Sequence, residues 1–109
     1  MPIDHFARAT KAWPLLVQRA KSGGAPYTYG DLCALLGLHH RAAGWFLGVI
    51  QEYCHRHKLA PLQALAVNKK TRLPGSGYVG SPRTTAAHAL ALVKVHSQQW
   101  PSRTPNLRT

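Results

Sequence analysis

Acidic residues are nearly missing from this chain: Asp4, Asp31 and Glu52 stand against fourteen Lys and Arg in 109 residues. Glycoside hydrolysis needs paired carboxylates at a set separation, and metal-dependent nucleases gather two or three around their ions. Three acids scattered over residues 4–52 argue against both chemistries. Cysteine is scarce too. Cys33 and Cys54 are the only two, and with nothing pointing to secretion they read as free thiols in a reducing compartment rather than as a disulfide. No apolar run reaches the roughly 18 residues of a membrane-spanning helix, and no charged leader precedes an apolar segment. The expectation is a soluble, cytoplasmic chain with no membrane partner. Internal repeats are absent, and Gly75-Ser76-Gly77 lacks the lysine and following helix of a phosphate-binding loop, so it reads as a hairpin corner.

What the chain does have is positive charge and enough apolar surface to fold. Hydrophobic residues make up 45%, ordinary for a globular domain, while the formal charge is +11 before seven histidines are counted. A compact body at that charge repels itself and attracts polyanions through release of their counterions. Double-stranded DNA is the leading partner, placing the chain in a nucleoid-associated setting, and a length of 109 residues suits a single domain.

Hydrophobic periodicity divides the chain into four helical stretches and one two-strand signal. Asp4 suits an opening cap, and Pro14 either begins a new helix or kinks a continuous one. Trp13, Leu16, Val17 and Ala20 fall on one face of that first stretch. Thr28-x-x-Asp31 resembles a capping box for a second helix carrying Leu32, Cys33, Leu35 and Leu36 and ending at Gly37. Ala43, Phe46, Leu47, Ile50, Tyr53 and Cys54 form the stripe of a third, predicted over about residues 39–57. A short helix, a glycine-containing turn and another helix make a helix-turn-helix pattern. Residues 63–67 alternate as a strand should, with 77–79 as partner across a basic loop, Asn68 to Ser76. A last helix over 84–98 turns Ala87, Leu90, Ala91, Val93 and Val95 inward. The fold class predicted is mainly α with a small β-hairpin (α+β), a winged helix-turn-helix spanning residues 1–98. Residues 99–109 read as a flexible basic tail.

At this point the residues resemble a known family. Thr28-Tyr29-Gly30-Asp31-Leu32, His40-Arg41-Ala42-Ala43-Gly44 and Gly75-Ser76-Gly77-Tyr78 are similar, in order, to motifs of the DNA-binding domain of alkylguanine-DNA alkyltransferases and alkyltransferase-like proteins. That family reads approximately T-Y-G-E-L-A, R-A-V-G, P-C-H-R-V-V and G-G-Y, and the resemblance covers nearly the whole chain. It implies that Arg41 enters the duplex in place of a flipped nucleotide and that Tyr29 crowds a phosphate to help rotate the base outward. The pocket receiving that base would be lined by Leu62, Gln63 and Tyr78. The departures matter as much. Leu62 and Gln63 stand where the resemblance calls for the nucleophilic Cys and its activating His, and no acid follows Glu52. Without thiolate, base and carboxylate, no alkyl group is accepted, so no catalytic residue, cofactor or enzymatic activity is expected.

Cys54-His55-Arg56 spells part of the missing motif, but it closes an apolar helical stripe, and a core cysteine is the more common reading. His39, His40, His55 and His57 do not offer the two separated ligand pairs of a zinc site, so no metal is expected and the histidines extend the positive face. Candidate DNA contacts are therefore Tyr29, His39, His40, Arg41, Trp45, Lys69, Lys70 and Arg72. For Trp45, base stacking competes with ordinary helix packing. The sequence reading is a non-enzymatic duplex-DNA binder, monomeric, that either senses alkylated bases or acts as a plain architectural or regulatory protein. The alternative is a protein-interaction module, an inhibitor or adaptor on a nuclease or acidic partner of phage or mobile-element origin. A thiol enzyme built on Cys54 is a third.

Overall fold

In the computed structural model, which describes residues 4–39, 42–73, 84–101 and 103–108, the chain is mainly helical with one small parallel sheet. The first helix, α1 (His5–Ser22), runs unbroken through Pro14, which lies on its exposed side. Asp4 caps it by accepting from the Ala7 N–H at 3.0 Å. The inward face carries Trp13, Leu16, Val17 and Ala20, as the spacing predicts, together with Ala9 and Ala12. Gly23, at φ 70°, ends it in a left-handed turn where Gly23 and Gly24 N–H groups bond Ala20 and Arg19 carbonyls.

Strand β1 (Tyr27–Thr28) leads directly into α2 (Tyr29–Leu35), capped by the Thr28 hydroxyl, which accepts from Asp31 N–H at 3.1 Å. Gly37, again at φ 70°, closes α2 with the same pair of terminal bonds, Gly37 to Ala34 and Leu38 to Cys33. Leu32 and Cys33 are buried, whereas Leu35 faces solvent. The third helix, α3 (Ala43–Arg56), begins later than its periodicity suggests, and all six residues of its predicted stripe are buried. It packs chiefly on α1, where the Trp13 ring meets Tyr53 edge-on at 5.4 Å.

Three expectations need correction. Residues Leu62–Leu65 form a 3-10 turn instead of strand, tied by Ala64 N–H to the Pro61 carbonyl at 2.9 Å. Only Ala66–Val67 is strand (β2), and it pairs in parallel with β1, Tyr27 opposite Ala66 and Thr28 opposite Val67. Every residue from Leu62 to Val67 is buried, so the alternation seen in sequence separates no inside from outside. The partner strand predicted at 77–79 lies outside the described residues. In α4 (Thr85–Ser97) the inward residues are His88 and Val95, while Ala87, Leu90 and Val93 are exposed. His88 takes that place because its Nε2–H donates to the Ala64 carbonyl at 2.9 Å, giving a buried polar ring a partner.

The described residues of the terminal segment, 99–101 and 103–108, do not trail from the body. Trp100 is buried against Trp13, with its indole N–H donating to the Val95 carbonyl at 2.8 Å. Leu107 is buried too, its carbonyl accepting from Arg56, and Arg108 binds the Asp4 carboxylate at 3.2 Å. Pro, Ser, Thr and Arg give the segment a tail-like composition, but two large apolar side chains decide its placement.

Candidate nucleic-acid interface

The two-residue ladder between β1 and β2 positions a basic stretch of the described surface. It sets the chain leaving Val67 beside the start of α2 and so brings residues 68–72 against Thr28–Asp31. Between them lies a cleft of about 760 Å³ lined by Tyr29, Gly30, Asp31, Asn68, Lys69, Lys70 and Arg72, with Thr28 at its base.

Asn68 shapes the basic wall. Its side-chain oxygen accepts from Lys70 N–H at 2.8 Å and more weakly from Thr71 N–H at 3.4 Å. Its backbone N–H donates to Leu73 at 2.9 Å, and its carbonyl accepts from Arg72 at 2.8 Å. These bonds close residues 68–73 into a tight turn with Arg72 at φ 58°, a left-handed conformation held by the ring of bonds around it. Lys69, Lys70 and Arg72 are thus presented to solvent from a braced backbone. Arg19 supports the neighbouring wall, its guanidinium 4.1 Å from the Tyr27 ring centroid and donating to the Ala25 carbonyl at 3.0 Å.

Of the residues singled out in sequence, the fold brings Tyr29, Lys69, Lys70 and Arg72 to this one cleft. His39 is exposed in the connection between α2 and α3, where its carbonyl accepts from Ala42 N–H. His40, Arg41 and Tyr78 lie outside the described residues. Trp45 sits elsewhere. It is 66% exposed, stacked on His5 at 5.3 Å, in a second cleft lined also by Asp4, Phe6, Gly48, Glu52 and Arg108. Leu62 is wholly buried and Gln63 is 9% exposed, its Oε1 without a partner among the described residues, and neither lines either cleft. Sequence reasoning missed Gly30, Asn68 and Asp31 as lining residues. An Asn directly after a strand signal and before two lysines was the available cue for the turn.

Cys54, on the inward face of α3, is 2% exposed, and loss of solvent around its sulfur pushes the thiol up to about 11. Burial likewise raises Cys33. Burial of both sulfurs disfavours the thiolate form on which nucleophilic cysteine chemistry depends. Among the described residues no three His, Cys, Asp or Glu side chains come together as a metal site, and no helix there is long and apolar enough to cross a membrane. Comparison with models of protein families, with curated proteins and with solved structures gives no match to the chain.

Proposed function

We propose that this protein is a non-enzymatic, winged-helix-like binder of double-stranded DNA that grips the phosphate backbone with the Asn68–Leu73 turn beside the start of α2. The observation that carries this reading is the convergence of Lys69, Lys70 and Arg72 with Tyr29 at one cleft of a chain charged +11. A solvated charge run would need no such bracing, whereas phosphate contacts gain from cations held in fixed positions. The resemblance of Thr28–Leu32 and His40–Gly44 to alkyltransferase-like motifs supports the same reading and adds detection of an alkylated base through Arg41 as its finer form.

Fluorescence anisotropy across a salt series tests both levels, using two matched duplexes of which one holds a single O6-alkylguanine. Wild type binds both with a steep salt dependence, and Lys70→Ala weakens binding to each alike, lowering the slope by about one. Tighter binding to the alkylated duplex, lost in Arg41→Ala, establishes lesion sensing, and equal binding leaves a general duplex binder. Absence of binding at low salt sinks the proposal. One observation favours a second reading, docking of a protein partner: the exposed Trp45 lies in a cleft separate from the basic one. Duplex DNA added in excess displaces a partner from the basic cleft but not from the Trp45 cleft.

A further inference from the structure

We infer that a second copy of this chain covers the Trp45 cleft, making the protein a twofold dimer joined through α3 instead of the monomer expected from sequence. This rests on the second reading above and names its partner. It is independent of duplex binding, because the basic cleft shares no lining residue with this one.

Trp45 is 66% exposed, and its ring lies nearly parallel to His5, at 13° with centroids 5.3 Å apart. That stack fixes the indole in place while most of it stays in water. Phe6 and Val49 line the same cleft and extend its apolar surface. Gly44 and Gly48 line it too, one helical turn apart, and a Cβ placed on either meets nothing within 4 Å. Neither has a positive φ, so neither backbone angle nor crowding within the chain asks for glycine there. Gly48 lies inside α3, where glycine is the least favourable residue after proline. The face therefore sets a large apolar knob beside a hollow floored by bare backbone.

Knob and hollow on one face suit a twofold axis, across which residue i meets residue j and j meets i. Each tryptophan fills the glycine hollow of the other copy, and aromatic side chains are the usual anchors of such contacts. Charge points to the same place. Two chains at +11 repel each other, so they associate where that charge is locally offset. The Trp45 cleft holds Asp4 and Glu52, two of the three acids in the chain, against Arg108 alone, whereas the basic cleft sets three cations against Asp31. Carboxylates at its edge also turn away an acidic protein or a phosphate backbone.

Sedimentation of the chain without DNA tests this, over concentrations of roughly 1 to 300 µM, the range in which modest interfaces dissociate. Wild type passes from monomer to dimer, and added salt tightens the dimer by screening its self-repulsion, opposite to the effect on the proposed duplex binding. Trp45→Ala and Gly48→Gln each weaken it at least about tenfold. Leu90→Ala, which removes an equally exposed apolar side chain from α4, leaves it unchanged. Gly48→Gln fills the hollow with no clash inside the chain and favours helix, so it carries the test should Trp45→Ala fail to fold. Wild type that stays monomeric throughout overturns the inference, hands the cleft to a different protein and leaves duplex binding untouched. A dimer that survives either α3 variant, yields equally to Leu90→Ala, or loosens with salt overturns it as well.

Discussion

Lys58, after α3, holds a backbone conformation that glycine holds after α1 and α2. Its φ is 55°, and the bonds around it, Lys58 N–H to His55 and Leu59 N–H to Cys54, repeat those that close α1 and α2 at Gly23 and Gly37. An L side chain in this region costs roughly 1–2 kcal/mol, partly offset by the greater freedom glycine has when unfolded. Lys58→Gly is therefore expected to stabilise the fold by about 0.5–1 kcal/mol, seen as a higher urea midpoint at unchanged m-value. Cys54 makes the opposite kind of statement, about chemistry withheld. Iodoacetamide should label it at neutral pH no faster than the protein unfolds. Its thiol titrates higher when folded than its ordinary 9.0. The associated stability is complete below pH 9, and it is lost as the unfolded chain ionises first and the pH climbs towards about 11. Urea midpoints measured across that range fall more steeply in wild type than in Cys54→Ala, which keeps only the raised thiol of Cys33.

At the scale of elements, the inward stripes of α1 and α3 and the stop at Gly37 were legible, because period and punctuation there are local signals. Placements set by distant partners were not. His88 faces inward on account of the Ala64 carbonyl, a contact no window around α4 contains, and it rotates Leu90 and Val93 to the outside. The same holds for β2, whose partner among the described residues lies before α2, some forty residues earlier than any window around β2 reaches. Half of the candidate cleft was foreseen, namely the cations and Tyr29. Asp31 was read only as part of a cap, and its place on the cleft follows from the distant pairing of β1 with β2. The terminal segment was misread for a related reason: polar and proline-rich composition masked Trp100 and Leu107, which belong to the core. Trp100→Ala is expected to cost about 3–5 kcal/mol in urea denaturation, the range for emptying a large aromatic site. A change below the error of the measurement would restore the tail interpretation.

For the molecule as a whole, charge acts on stability and on binding with opposite signs. Only Asp4 and Glu52 pair with cations among the described residues, so most of the +11 is left to repel itself. Added salt screens that repulsion and should raise the melting temperature, while in the same buffers it should weaken the proposed duplex binding by removing the gain from counterion release. A fall in both would show that the fold draws net support from its surface ion pairs. The ladder that builds the cleft has one more consequence, and it concerns time. Its two rungs join residues 27–28 to residues 66–67, so neither wall exists as a wall until a long loop of chain has closed. A polypeptide still emerging from the ribosome already carries cations, and with them a loose attraction for any polyanion nearby. The proposed grip can form only when the basic turn has been synthesised and has docked, so on that proposal recognition comes after the cleft has closed and not with the charge that precedes it.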